Sequence, residues 1–554
     1  MKTTTNLQRR KLLKYTAIGI AGAITYPSWV KAGEFVRTNM PSADFIPDVE
    51  IDLTMNAVDV AILSGNKTRI WKITGKVVKG PQGVLDNNEG TYLAPSLRFK
   101  KGQKVRMILN NNLPAQSILH WHGLHVPANM DGNPMYAINQ GETYVYEFEI
   151  LNRAGTYFYH AHTHSVTARQ VYSGLAGLLT VTDDQEQALN LPKGDLDVPL
   201  VIQDRSFDSE NQLAYSSHMM QRMQGFLGDQ ILVNGRPDFA LPVKTRAYRF
   251  RLINGSNSRI YKLAWDDGTP MTVIGVDGGL LPAPEQHPYV MLAPGERAEV
   301  WTDFSGRAVG TELNLRSLSF DVAAHGGMGM MGGGGMGGGM MGGRGRRGMM
   351  GGGGMMGGGM MGGGMMSVSA LPLGSDYPIL KVRVTQKEQG DNSLPKTLTP
   401  ITALQVKNAA NAGNPRNITL SMEHMSALLN GRAYKMNDVQ PYETIPVNSL
   451  QLIEFDNGFE GGTHGMMMNM PHPMHIHGEQ FQIVKREMSP RFSETYSTVS
   501  AGFIDSGWKD TVLVMPGEKI TLLKPFNDFK GLYMYHCHNL EHEDMGMMRD
   551  FLIK

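Results

Sequence analysis

The sequence predicts an all-β protein built from three related domains. One observation is the run of strand-like stretches, such as "KVRMILNN" from Lys104, "TYVYEFEI" from Thr143, "AYRFRLINGS" from Ala247 and "LQLIEFDNG" from Leu450. Several alternate apolar and polar residues with period two and are bounded by Gly, Pro or Asn, whereas helical periodicity is scarce. The other observation is a self-similarity. "GETYVYEFEILNRAGTYFYHAHTH" begins at Gly141 and "GEKITLLKPFNDFKGLYMYHCHNLEH" at Gly517. In each, Gly-Glu opens a strand, a second glycine (Gly155, Gly531) opens the next, and a His-x-His pair follows. "HWHG" at His120 and "HIHG" at His475 precede the two copies. A middle copy, "APGERAEVWTDF" from Ala293, keeps the opening without the histidines. Domains at about 45–185, 190–385 and 415–554 follow from this period, with 386–414 as a linker into the third.

A chain of 554 residues is too long for one core, which agrees with several domains. Its 52 Lys and Arg balance 51 Asp and Glu, which excludes nucleic acid and anionic membranes as main partners. Residues 1–32 read as an export signal. Arg9 and Arg10 precede Leu12, Leu13, Lys14 and an apolar run to about Val30, with Ala32 as a cleavage point. Twin-arginine signals have this form, so a periplasmic location is expected. The run is shorter than the roughly 20 residues of a spanning helix, so stable membrane insertion is not expected.

Four His-x-His pairs punctuate the repeats: His120/His122, His160/His162, His475/His477 and His536/His538. Residues i and i+2 of a strand share a face, roughly 6.6 Å apart along the backbone, so each pair can grip one metal or two adjacent ones. Between the last two stands Cys537, the one cysteine of the chain. Strand alternation turns it away from its neighbours and assigns it to a different metal. His542, Met547 and the left-over His472 are at hand, and two His, a Cys and a distant Met form the blue-copper donor set. "DMGMM" also offers Met545 and Met548 as rivals of Met547. A nucleophilic cysteine activated by histidine would leave the paired histidines without a use.

With these residues the sequence resembles the multicopper oxidases. "HWHG", "HAHTHS", "HPMHIHG" and "HCHNLEHEDMGMM" match the family's four copper motifs in order, and "QVYSGLAGLLTV" and "GWKDTVLV" extend the likeness. It is nearest the periplasmic copper-efflux oxidases, with bacterial laccases close behind. The resemblance implies three cupredoxin-like Greek-key β-barrels and four copper ions. It assigns His472, Cys537, His542 and Met547 to the type 1 copper and His120 and His475 to the type 2 copper. One type 3 ion takes His122, His160 and His538, the other His162, His477 and His536. It further implies electron transfer through Cys537 from a one-electron donor to O2, with Asp131 and Glu543 on proton routes. A monomer is expected.

For the donor, the family suggests Cu(I) or phenols. Met422, Met425 and Met470 align near the substrate-copper site of the efflux enzymes, whose two acids are replaced by Ala427 and Met468. "THGMMMNMPHPM" from Thr463 adds soft ligands, Met468 among them. Residues 326–366 contain only Gly, Met and Arg, which reads as a disordered insertion in the second domain, rich in thioethers that prefer Cu(I). Three functions are therefore in play: Cu(I) oxidation for copper tolerance, laccase-type oxidation of phenols, aromatic amines or Mn(II), and copper sequestration. A full trinuclear ligand set is needless for the last.

Overall fold

The expected strands form where alternation put them. In a computed structural model of the protein, Lys104–Asn111, Thr143–Glu149, Ala247–Asn254 and Ser449–Asp456 are all strands. Along Lys104–Asn111 every second side chain is buried, with Val105, Met107 and Leu109 in the core. The model describes residues 39–215, 218–322, 371–423, 426–459 and 470–554. The export signal, the Met/Gly tract, Met425 and Met468 lie outside the described residues. The described residues pack as one compact unit.

Six sheets arise in three successive pairs, and each pair repeats the same pairings. In the first, Val49–Val60 runs parallel to Lys104–Asn111, which is antiparallel to Thr143–Glu149. The second places Asp197–Arg205 parallel to Ala247–Asn254, itself antiparallel to Arg297–Asp303. The third places Arg416–Glu423 parallel to Ser449–Asp456, itself antiparallel to Glu518–Phe526. The companion sheets repeat a parallel pair too: Ser96–Lys100 with Ala176–Thr182, Ala240–Lys244 with Tyr377–Gln386, and Thr444–Ile445 with Met548–Ile553. Apolar side chains between the two sheets of a pair form its core, as with Val105, Phe148, Tyr159 and Leu179 in the first.

The Gly-Glu repeat is a turn that all three pairs build alike. Gly141, Gly295 and Gly517 have φ of 81°, 84° and 72°, a region that costs other residues strain. Each glycine N–H donates to the carbonyl of an asparagine one strand back: Asn111, Asn254 and Asn457. The glutamate that follows then accepts the N–H three residues before it, at 2.6 Å in Glu142, 2.8 Å in Glu296 and 2.7 Å in Glu518. Sequence self-similarity thus reports one hydrogen-bonded turn made three times.

Arg297, at the start of its strand in the second pair, ties all three together. Its buried guanidinium donates to the Thr156 carbonyl of the first pair at 2.9 Å and to both Asp510 oxygens of the third at 2.7 and 2.6 Å. Among the described residues no helix is long and apolar enough to cross a membrane.

Candidate metal centre

The histidines come from matching strands of the first and third sheet pairs. Leu119–His122 carries His120 and His122, and pairs antiparallel with Gly155–Ala161, which sets His120 opposite His160. His472–Ile476 pairs with Gly531–Cys537 in the same way, which sets His475 opposite His536. His162, His477 and His538 lie just past the strand ends. All eight paired imidazoles are buried and meet between the two sheet pairs. Trp121 and Cys537 point the other way, each into the core of its own pair.

Hydrogen bonding fixes the tautomers. His120 Nδ1 donates to the Asp131 carbonyl at 2.6 Å, and His475 Nδ1 to the Asp510 carbonyl at 2.8 Å. Both Nε2 atoms are therefore bare lone pairs, yet they face each other at 3.4 Å. His477 Nδ1 donates to Asp131 Oδ2 at 2.6 Å and His536 Nδ1 to the Cys537 carbonyl at 3.1 Å. Their bare Nε2 atoms stand 3.2 Å apart, with His162 Nε2 3.3 Å from that of His536. His160 donates through Nδ1 to its neighbour's carbonyl, and His122 through Nε2 to Asp510 Oδ1, at 2.9 Å each. This leaves His160 Nε2 and His122 Nδ1 buried without partners, as are both nitrogens of His538.

Two lone pairs cannot satisfy each other, and an unpaired buried polar atom is costly. Burial, reinforced by neighbouring imidazoles, also holds His122, His160, His162, His475, His477 and His538 well below the ordinary imidazole pKa. Protons are thus a poor remedy. A cation that accepts lone pairs satisfies each imidazole's bare nitrogen, and imidazole donors suit copper among others.

The cluster is flanked by carboxylates. Gly132 (φ 82°) lets the chain turn so tightly that an added Cβ would strike the Leu119 carbonyl, and this turn sets Asp131 against His120 and His477. Burial raises the Asp131 carboxyl above its usual range, with the His120 contact opposing. Glu543, buried on the helix Leu540–Asp544, has Oε2 3.2 Å from His536 Nδ1 and Oε1 3.8 Å from His162 Nε2.

A second donor group lies on the far side of Cys537. Its Sγ is 3.5 Å from His472 Nδ1 and 3.8 Å from His542 Nδ1, and those two nitrogens are 3.3 Å apart. His542 Nε2 donates to the Met223 carbonyl at 3.0 Å, which leaves Nδ1 bare toward the sulfur. Burial lowers His542 to about 4 and pushes the Cys537 thiol far above its usual value. A thiolate at this depth therefore needs a cation beside it. The donor set, two imidazoles and a sulfur, is what copper takes in such sites.

Of the three rival methionines, Met547 packs in the buried cluster that holds Cys537, and Met545 lies at its edge. Met548 packs instead against Tyr434 and Met534. With Met547 as the axial donor, Met547→Leu is expected to raise the reduction potential of the blue centre without loss of colour, because a weak donor to Cu(II) is removed. Met548→Leu should leave it in place. Redox titration of the two variants checks this, and the reverse pattern would reassign the axial ligand.

Three residues with no assigned role in the sequence stand close to these donors. Asp510, in the "GWKDTVLV" stretch, accepts from His122 through its side chain and from His475 through its backbone. Phe158 stacks on His122 with ring centroids 4.2 Å apart. Met223, on the helix Met219–Gln224 of the second sheet pair, covers His542 and packs in the core cluster of Cys537, Met422 and Met547, with Met470 against it. Asp510 directly precedes the strand Thr511–Val514, which pairs with the ligand strand His472–Ile476. Nothing local marks Met223.

Comparison with known proteins agrees with this chemistry. Residues 70–186 and 399–554 match models of multicopper oxidase domains. A multicopper oxidase, Mco, of Staphylococcus haemolyticus is 30% identical over 484 residues, or 86% of this chain and 87% of its own. A laccase of Bacillus stratosphericus is 28% identical over 524 residues, 85% of this chain and 90% of its own. The crystal structure of the McoA multicopper oxidase of the hyperthermophile Aquifex aeolicus superposes with a TM-score of 0.71 at 30% identity, covering 92% of this chain and 97% of that one. With motif order, all-β architecture and converging lone pairs in agreement, the chain belongs to the multicopper oxidase family, copper oxidoreductases that use O2 as acceptor.

Proposed function

We propose that this protein is an exported cuprous oxidase that holds four copper ions and oxidises Cu(I) to Cu(II) for copper tolerance. The observation that carries the reading is the set of thioethers in the core that also holds Cys537 and Met547. Met223 and Met422 are buried in the same cluster as Cys537 and Met547, and Met470 packs against it. Thioethers are soft ligands that favour Cu(I) over Cu(II) or Zn(II).

His472, Cys537, His542 and Met547 would hold the type 1 copper and His120 and His475 the type 2 copper. His122, His160 and His538 would hold one type 3 ion, and His162, His477 and His536 the other. Bound there, copper supplies one-electron oxidation of the donor and four-electron reduction of O2 to water. The protein's share is positioning, exclusion of water and proton movement. Cys537 reaches His536 and His538 through single residues of backbone, and the His536 Nδ1 bond to the Cys537 carbonyl adds a second link. Asp131 and Glu543 are the proton carriers of this reading, since both are buried carboxylates in reach of cluster imidazoles. Met422 and Met470, together with Met425 and Met468, would receive the Cu(I) substrate. Met223 joins them from the second sheet pair.

The test is steady-state oxidation of Cu(I) and of a phenol by one copper-loaded sample, before and after replacing Met223, Met422 and Met470 together by leucine. Leucine keeps volume and apolarity, so the fold should hold to within about 1.5 kcal/mol per site. The apparent KM for Cu(I) is expected to rise about tenfold or more, with phenol oxidation unchanged or faster. Equal Cu(I) kinetics in the triple variant would move the reading to a laccase-type enzyme, the activity named for the Bacillus stratosphericus relative.

A further inference from the structure

We propose that a cavity between the first and second sheet pairs holds dioxygen and supplies it to the histidine cluster past the Phe158 ring. The cavity measures about 210 Å³. Its walls are mostly apolar, with Leu93, Leu178, Val201 and Ile253 among them, and the exposed Arg236 lies at its rim and opens it to solvent. Gly255, just past Ala247–Asn254, lines the gap without a side chain. A Cβ there would meet Gln203 at 3.1 Å and Val201 at 3.3 Å, both of which line the cavity.

Location singles out the occupant. Phe158 lines the cavity on one side. On the other its ring packs against His122, His160 and His538, with centroids 4.2, 5.2 and 5.8 Å away. These three imidazoles carry four of the five cluster nitrogens that lack any partner. One aromatic ring therefore separates an apolar chamber from the place where this family's acceptor reacts. Dioxygen is small and apolar and gains from leaving water for the apolar stretch of wall formed by Leu93, Leu178, Val201 and Ile253, while Asn88, Thr91, Gln203 and Asn234 give water its partners elsewhere in the cavity. Apolar protein cavities take up xenon or benzene. The second sheet pair, which contributes no histidine to the cluster, thereby gains a part in acceptor supply. The inference rests on O2 as acceptor and is independent of whether the donor is Cu(I) or a phenol.

Xenon is a polarisable stand-in for dioxygen. In crystals of the copper-loaded protein under xenon pressure, xenon is expected between Val201, Leu178 and Phe158. In solution, xenon should inhibit oxygen uptake competitively against O2 and not against a phenolic donor. Val201→Phe, which fills the chamber away from every histidine, should abolish the xenon site and raise the KM for O2 by about threefold or more, with kcat at saturating oxygen and the donor KM unchanged. Ile253→Phe serves the same purpose from the opposite strand. An empty cavity under xenon, or an ordinary KM for O2 in either folded variant, overturns the proposal. A raised KM for the phenol alone overturns it too, because the chamber would then hold the donor.

Discussion

Cys537→Ser is expected to abolish both the blue colour and the oxidase activity while leaving the cluster able to load copper. The sulfur is fully buried and lies within 3.8 Å of the two bare imidazole nitrogens of His472 and His542. Only a thiolate gives the copper–sulfur charge-transfer band and the fast Cu(I)/Cu(II) exchange of such a site. A serine hydroxyl fits the space but supplies neither. The eight paired histidines do not touch the change, because strand alternation turns them to the opposite face. Copper analysis should therefore show loss of about one ion per chain, and oxygen uptake with any donor should fall to background. A blue or active Cys537→Ser protein would remove the cysteine from the electron path and with it the reading of the whole third sheet pair.

How far the sequence reaches can be judged from particular residues. Alternation in "KVRMILNN" and its fellows locates strands because a half-buried sheet imposes period two on polarity. The Gly-Glu turn is legible because it needs a glycine at positive φ and a carboxylate at a fixed offset, and both are local requirements. The placement of Cys537 opposite its neighbours follows from the same geometry. Other features depend on residues far apart in the chain. Met223 reaches His542 only because the second sheet pair folds over the third, and its hydrogen bond there uses a backbone carbonyl that any residue could offer. The chamber beside Phe158 exists because strands of two sheet pairs meet there, with Ala176 and Leu178 on one and Val201, Ile253 and Gly255 on the other, a coincidence with no local signature. Met545, Met547 and Met548 are indistinguishable by composition; in the sequence only the spacing of the family motif picks Met547, and packing then separates it from Met548.

Asp510 belongs with these long-range features, and its replacement is expected to have the largest effect on stability. Its carboxylate receives both arms of the Arg297 guanidinium at 2.7 and 2.6 Å, and its Oδ1 also accepts from His122 Nε2 at 2.9 Å. All three side chains are fully buried. Asp510→Ala leaves the Arg297 charge without its partner at the meeting point of three sheet pairs, and such a loss typically costs about 3–5 kcal/mol. The Asp277 carboxylate, 3.6 Å from Arg297, offsets only part, because it also serves Lys509 at 3.1 Å. The imidazole suffers in turn. With Asp510 gone, only the neutral Thr511 hydroxyl at 3.1 Å is left to hold the proton on His122 Nε2, so the lone pair on Nδ1 is fixed less firmly. Copper at the type 3 position proposed for it should be lost or weakly held, while the proposed Cys537 centre stays blue. Asp510→Asn separates the two effects. An amide keeps the shape and one acceptor oxygen, so it should recover part of the urea midpoint, yet it cannot neutralise Arg297 and serve His122 with the same strength. We therefore expect the midpoint to rank wild type, Asn, Ala, with cluster copper reduced in both variants. A wild-type midpoint in Asp510→Ala would mean that Arg297 is held by its carbonyl partners alone. Full cluster copper in both variants would show that strand geometry, not the Asp510 hydrogen bond, orients His122.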